Sequence, residues 1–454
     1  MKKKEIIEFE VGKMEFGGIS RSIYQDKRIK MKGGITGQRV KASVKRSRSD
    51  SGEVKMMELL ETSPMETGEI CQHFRQCGGC SILSIPYEKQ LEIKERQVKD
   101  LFDDAGLEDY EWIGIQGSPS QYSYRNKMEF TFGDAFKDGP LELGMHKVGR
   151  FIDIMTVEDC RIIDQDFVKV LVATKEYFRK KELPYYRTND HKGYLRHLVV
   201  RKGENTKELL VNIVTSSQID FDMTEYKDML KGLELENGLV GILHTINDRM
   251  ADVVNCDELR ILDGRDYFYE EVLGLRFKVS PFSFFQTNTK GAEVLYQIAR
   301  DFAGDKGDGK VVFDLYSGTG TIGQLMAKTA RKVYGIEIIE EAVKAANQNA
   351  HLNGLDNCEF IAGDVVKVVT ELPEKPDLII VDPPRAGVVG NGVKDIAEFG
   401  ANEIVYVSCN PKSLVENLVE FEHRGYKVEK VKLMDMFPNT PHVECIALIQ
   451  RVKS

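Results

Sequence analysis

The sequence predicts an α/β protein with a C-terminal Rossmann-like domain, a small N-terminal β-barrel and a central α/β region. Three observations predict it. From residue 311 onward, short apolar runs (311–315, 333–336, 358–361, 377–381 and 403–407) alternate with helical patterns, the rhythm of a mostly parallel sheet. The first run is broken by Ser317-Gly318-Thr319-Gly320 before a helix begins, a turn whose glycines allow close backbone approach to a ligand. Residues 1–62 read as closely spaced strands separated by Gly17-Gly18, Gly33-Gly34 and Gly37, as in a small barrel.

The chain has 454 residues, enough for several full cores. The predicted units are 1–62, 63–280 and 281–454. No run of eighteen apolar residues occurs and no apolar stretch follows the N-terminal lysines, so neither a membrane span nor a signal peptide is expected. The expected compartment is the cytoplasm, where stable disulfides are rare, and the eight cysteines need another account. Net charge is −9, yet residues 1–50 carry fourteen Lys/Arg against six Asp/Glu. Nine basic residues and no acid lie from Lys27 to Arg48. Such a block suits a polyanion such as RNA.

A basic barrel of this size is similar to the TRAM domain, an OB-like RNA-binding module. Next come Cys71, Cys77 and Cys80, three thiolates in one glycine-containing loop. Tetrahedral coordination needs a fourth ligand; Cys160 is the best candidate and His73 a weaker one. Spacing alone leaves zinc and an iron–sulfur cluster open. An amphipathic helix is predicted from Tyr87 to Phe102. Residues 103–280 read as strand-rich, with tyrosines near Arg125 and Lys127 suited to stacking bases and holding phosphates, or simply to strand packing.

In the C-terminal unit, Gln286 closes the aromatic run SPFSFFQTN just before a predicted helix at 289–302, which Asn288 is placed to cap. Asp314, Tyr316, Glu337, Asp364, Asp382 and Cys409 all fall at or just beyond predicted strand ends, where ligands of such sheets lie. Glu337 is placed to meet ribose hydroxyls. Asp382-Pro383-Pro384-Arg385 is a rigid turn that fixes an acid. Cys409, in Ser408-Cys409-Asn410-Pro411, stands where an accessible thiolate could act as a nucleophile. Glu444 lies in an apolar strand pattern, and burial would raise its pKa and suit it to proton transfer. His442 is the rival base. Cys445, Cys256 and Cys358 read as structural.

The order of these motifs resembles the RNA m5U (uracil-C5) methyltransferase family over essentially the whole chain, and in particular its 23S rRNA members. Those motifs are the CGGC loop, YRNK, FFQTN, DLYSGTG, DPPR, SCNP and FPNTPHVE. The resemblance implies a class I methyltransferase domain using S-adenosylmethionine. It implies Cys409 as nucleophile, Glu444 as base, and Gln286, Tyr316, Glu337 and Asp382 as cofactor contacts. It favours a [4Fe–4S] cluster on Cys71, Cys77, Cys80 and Cys160. The expected partner is RNA, ribosomal rather than transfer, with no membrane and a monomeric chain. Two departures stand out: Ser317 where many relatives carry a cysteine, and Lys412–Asn417 where many continue Thr-x-x-Arg-Asp. The competing readings are a transfer-RNA enzyme, an amino-methyltransferase and a non-catalytic RNA-binding protein on the same scaffold.

Overall fold

The computed structural model describes residues 1–68, 71–304 and 309–452. The N-terminal unit consists of β1 (Ile6–Glu10), β2 (Lys13–Glu15), β3 (Ile19–Tyr24), β4 (Lys27–Lys32), β5 (Arg39–Ser47) and β6 (Ser51–Glu61). They form one sheet in the order β1-β5-β6-β4-β3-β2. Alternate residues of β1, β4 and β5 are buried, so Phe9, Ile29, Met31, Val40, Val44 and Val54 meet in one cluster. Three register shifts between β5 and β6 bend the sheet, as extra residues in one strand do. Edge strands β1 and β2 are not paired with each other among the described residues. The unit is therefore a curled half-barrel, where the strand spacing predicts a small barrel.

The basic block lies on this half-barrel, and much of it faces carboxylates of neighbouring strands. Arg28 pairs with Asp50, Arg39 with Glu8 and Glu61, Lys41 with Glu58, and Arg46 with Glu53. Lys30, Lys32 and Lys45 are exposed and form no ion pair among the described residues.

Helix α1 (Tyr87–Asp104) and strand β7 (Glu111–Gln116) follow the cysteine loop. The helix runs two residues past its predicted end. The central unit is then β8 (Lys127–Asp134), β9 (Leu141–Lys147), β10 (Arg150–Met155), α2 (Gln165–Lys180), β11 (Leu195–Lys202), β12 (Glu208–Thr215), α3 (Thr224–Lys231), β13 (Gly238–Ile246) and β14 (Glu258–Gly264). Its sheet runs β10-β9-β8-β11-β12-β13-β14. One face packs on α2 and α3 through Phe130, Leu198, Val211, Phe167, Phe178 and Tyr226.

A hairpin of β15 (Phe268–Val272) and β16 (Leu275–Val279) leads into the last unit. This comprises α4 (Thr289–Ala303), β17 (Val311–Leu315), α5 (Thr321–Ala327), β18 (Lys332–Glu337), α6 (Glu340–Leu352), β19 (Cys358–Ala362), α7 (Val365–Glu371), β20 (Leu378–Val381), α8 (Gly392–Phe399), β21 (Glu403–Ser408), α9 (Pro411–Glu422), β22 (Tyr426–Met434) and β23 (Glu444–Arg451). The sheet order is β19-β18-β17-β20-β21-β23-β22-β7. Strands β17 to β21 are parallel, and β23 is inserted antiparallel between β21 and β22. Strand β7, from within 63–280, pairs parallel with β22. Val98 and Phe102 of α1 pack in the same core as Phe313, Leu414 and Phe421. The C-terminal sheet thus recruits residues 87–116 from outside the predicted 281–454 unit, a long-range pairing that periodicity does not reveal. No helix among the described residues is long and apolar enough to cross a membrane.

Candidate active site

The carboxyl ends of β17, β18, β20 and β21 converge on one site, joined from the side by the start of β23. Asp314 is fully buried in β17, and its Oδ2 accepts the Gly323 N–H at 2.9 Å. A Cβ on Gly323 would stand 2.7 Å from that oxygen, so glycine is required for the helix to start against the carboxylate. Tyr316 follows with φ +62°, a left-handed conformation costly for a bulky residue and typical of functional turns. Glu337 ends β18. Its Oε2 accepts the Gly318 N–H and its Oε1 the Ile339 N–H, both at 3.0 Å. The glycine turn and the acid expected to meet ribose are thereby locked together.

Asp382 lies just beyond β20, and Cys409 just beyond β21. Ser408 is paired with Cys445 across β21 and β23, so the next step in the register sets Cys409 against Glu444. The Cys409 thiol is half-exposed, whereas Glu444 is 5% exposed and Cys445 lies in the core. The thiol and the acid therefore face the site while Cys445 faces away, as the alternation of a strand requires.

The electrostatics of this cluster are anionic. Burial pushes the Asp314 carboxyl up to about 7, with the Asp382 and Glu337 charges adding to the rise against the Gly323 N–H. Burial alone lifts Asp382 to about 7. Burial and then Asp382 lift Glu444 to about 8, against the pull of Arg385. Cys409 rises to about 11 through burial, then Glu444 and Asp382, again opposed by Arg385. Such a set of buried acids is stabilised by a cation placed among them. Arg385 supplies part of that charge. Its backbone carbonyl accepts from Asn410 Nδ2 at 2.8 Å and Ser413 Oγ at 3.2 Å, which ties DPPR to SCNP. His442 is held below its usual range by burial and then by Arg385 and Lys94.

The backbone carbonyl of Gln286 accepts from Asn126 Nδ2 at 3.1 Å, and its side chain hydrogen-bonds with the Tyr296 hydroxyl. Asn288 caps α4 by accepting the Gly291 N–H at 2.9 Å. Two participants were not singled out by sequence. Tyr296 of α4 is buried, and its hydroxyl is held strongly in the protonated form by burial and then by Asp382, Glu444 and Asp314. Arg385 enters the sequence reading only as the last residue of the DPPR turn, and its influence on Cys409 and Glu444 depends on the tertiary fold. In α9, the departure at 412–417 contains a structural residue: Asn417 Oδ1 accepts from Val388 N–H and Tyr406 Oη.

Beside this site is a cavity of about 590 Å³ whose lining includes Cys71, Cys77, Cys80, Cys160, Arg385 and His442. Burial raises Cys80 to about 12 and Cys160 to about 11, and in each case the other loop thiols add to the rise. The distant Cys160 is thus brought to the three loop cysteines. His73 Nε2 accepts the Asp159 N–H at 3.2 Å, which leaves Cys160 as the better fourth donor. Among the described residues no three His, Cys, Asp or Glu side chains are close enough to share one metal ion. All four cysteines line the same cavity.

Residues 374–452 match the tRNA (Uracil-5-)-methyltransferase family, and 289–395 match the methyltransferase small domain. A protein of Clostridium tetani described as an uncharacterized RNA methyltransferase is 52% identical over 99% of both chains. A Clostridium acetobutylicum protein described in the same way is also 52% identical over 99% of both. The chain belongs to this RNA methyltransferase family. Among solved structures, that of Pyrococcus abyssi tRNA (uracil-54, C5)-methyltransferase in complex with S-adenosyl-L-homocysteine aligns over 98% of this RNA methyltransferase and 100% of the archaeal chain. The TM-score is 0.75 at 25% identity.

Proposed function

We propose that this RNA methyltransferase transfers a methyl group from S-adenosylmethionine to C5 of a uracil in structured RNA. The observation that carries the reading is the proximity of Cys409 to Glu444 and Asp382, whose charges both reach the thiol, just past the Ser408–Cys445 pair of β21 and β23. Uracil C5 is a poor nucleophile. The Cys409 thiolate adds to C6 and makes the ring an enolate; C5 takes the methyl group from the sulfonium, whose methyl–sulfur bond breaks to leave S-adenosylhomocysteine. Glu444 then takes the C5 proton, that electron pair forms the C5–C6 double bond, and the C6–sulfur bond breaks to return the thiolate. Arg385 opposes the upward shifts of both Cys409 and Glu444 and so assists both steps. Gln286, Tyr316, Glu337 and Asp382 are the proposed cofactor contacts. A sulfonium among Asp314, Asp382 and Glu444 meets the cation requirement of that site.

Cys71, Cys77, Cys80 and Cys160 are the proposed holders of a [4Fe–4S] cluster. Such a group would supply a cross-link between a surface loop and the segment after β10; methyl transfer itself requires no electron. The half-barrel is proposed to act as a TRAM-like RNA-binding module. The proposed substrate is 23S ribosomal RNA. A second reading, transfer RNA, is favoured by the archaeal neighbour, whose name specifies tRNA and whose alignment includes the same N-terminal units. Labelled S-adenosylmethionine incubated separately with unmodified ribosomal and transfer RNA tests both. 5-Methyluridine in ribosomal RNA is expected. Label only in transfer RNA replaces the substrate, and label in a methylated purine overturns the Cys409 chemistry.

A further inference from the structure

Glu444 is the first residue of β23, so its position depends on the irregular segment 435–443 that delivers it. In that segment four successive carbonyls are held by different parts of the molecule. Met436 O accepts from Asn288 Nδ2 at 2.9 Å and Phe437 O from Lys94 Nζ at 3.2 Å. Pro438 O accepts from Tyr124 Oη at 2.9 Å. Asn439 O accepts from the Ser81 and Ile82 N–H groups at 3.0 and 3.2 Å. Ser81 directly follows Cys80.

Asn439 is the most constrained of the four. Its φ is +69° and it is 2% exposed. Asparagine tolerates this conformation better than most residues, but it persists only where the surroundings impose it. Here Gln90 of α1, itself 1% exposed, imposes it from both sides. Gln90 Oε1 accepts the Asn439 N–H at 2.9 Å, and Gln90 Nε2 donates to Asn439 Oδ1 at 3.1 Å. Asn439 Nδ2 donates to Gln121 O at 3.0 Å.

We propose that the cysteine loop and α1 together form a brace that positions Glu444, with Asn439 as its joint and Gln90 as a positioning residue. The inference rests on the reading of Glu444 as the base. It assigns the cysteine centre a task in a reaction that transfers no electron: fixing the N–H groups after Cys80 fixes the Asn439 carbonyl, five residues before the carboxylate. Loosening the brace therefore impairs release of the methylated adduct more than its formation, because only release uses Glu444.

The test uses the full chain with Gln90→Leu, which removes both bonds to Asn439 at little change in volume, and Cys80→Ala. Three quantities are read: hydrogen exchange of 435–443 without RNA, equilibrium binding of S-adenosylhomocysteine, and the lifetime of the methylated protein–RNA adduct on denaturing gels. Exchange faster by about tenfold, homocysteine-product binding within about twofold of the parent and adduct decay slowed by about tenfold or more support the brace. Unchanged exchange in Gln90→Leu, or adduct decay at the parent rate in protein that is otherwise folded, overturns it. So does a parallel loss of ligand binding and adduct formation, which marks a purely structural role. Glu444→Gln serves as the control. If its adduct decays at the parent rate, the base assignment falls by itself, while the exchange of 435–443 still decides whether the brace exists.

Discussion

In the proposed mechanism Cys409 and Glu444 divide one reaction between them, and their variants separate the two halves. Cys409→Ala removes the proposed nucleophile. It is expected to lower 5-methyluridine formation by more than about 10³-fold and to abolish the covalent adduct, measured by labelled-methyl incorporation and denaturing gels. Glu444→Gln keeps the shape but cannot accept the C5 proton, so the methylated adduct is expected to accumulate. The raised pKa values give a second expectation. Asp314, Asp382 and Glu444 titrate near 7, 7 and 8 in the folded protein, above the usual carboxylate range. The folded state then binds more protons than the unfolded one. Stability from these groups is fully present below about pH 4 and is lost as pH rises through about 7 to 8. The melting temperature of the cofactor-free enzyme should fall across that window. A sulfonium cation should recover more of it than the uncharged S-adenosylhomocysteine, and the difference between the two ligands should widen with pH. A constant difference from pH 6 to 9 would show that the acids do not form the sulfonium's electrostatic environment.

Helix α1 shows how an element outside the catalytic sequence comes to serve it. Lys94 and Asp435 form an ion pair at 2.7 Å with both side chains at most 1% exposed. Lys94→Met leaves a buried carboxylate without its partner and is expected to cost about 3–5 kcal/mol, measured by denaturant unfolding. Lys94→Met combined with Asp435→Leu should recover most of that loss, because neither charge then remains buried. An equal loss in the single and double variants would show that the pair contributes packing alone. The same helix marks where sequence reading stops. Its existence was legible from its amphipathic spacing, as were α4 from Asn288 and the parallel strands from their apolar runs and polar ends. The placement of Cys409, Asp382 and Glu337 was legible because each sits beside a strand terminus that the run itself announces, and that of Glu444 because it interrupts an apolar strand pattern. The docking of α1 and β7 against β22, the buried Tyr296 and the Asn439 joint were not. Each depends on residues far apart in the chain that no local period connects. The half-barrel was legible as short strands, but its openness was not, since β4 and β6 pair in parallel across intervening chain.

Across the whole molecule, charge is segregated: residues 1–50 carry an excess of eight positive charges while the remainder is near −17. An acidic body repels RNA, so association must begin where the sign reverses. The ion pairs on the half-barrel neutralise Arg28, Arg39, Lys41 and Arg46 internally. Lys30, Lys32 and Lys45, exposed and outside these pairs, are the proposed phosphate contacts. Replacing these three lysines with alanine should weaken RNA binding and flatten its salt dependence. Each phosphate contact to a single strand contributes roughly 0.7 to the slope of log K against log salt, so three contacts contribute about 2. Binding of S-adenosylhomocysteine should not change, because the half-barrel contributes none of the proposed cofactor contacts. The measurement is RNA affinity at several salt concentrations for the parent and the triple variant. An unchanged slope would move the phosphate-binding surface off the half-barrel and onto the central unit. There Arg125 and Lys127 line the cavity that also contains the four cysteines and Arg385.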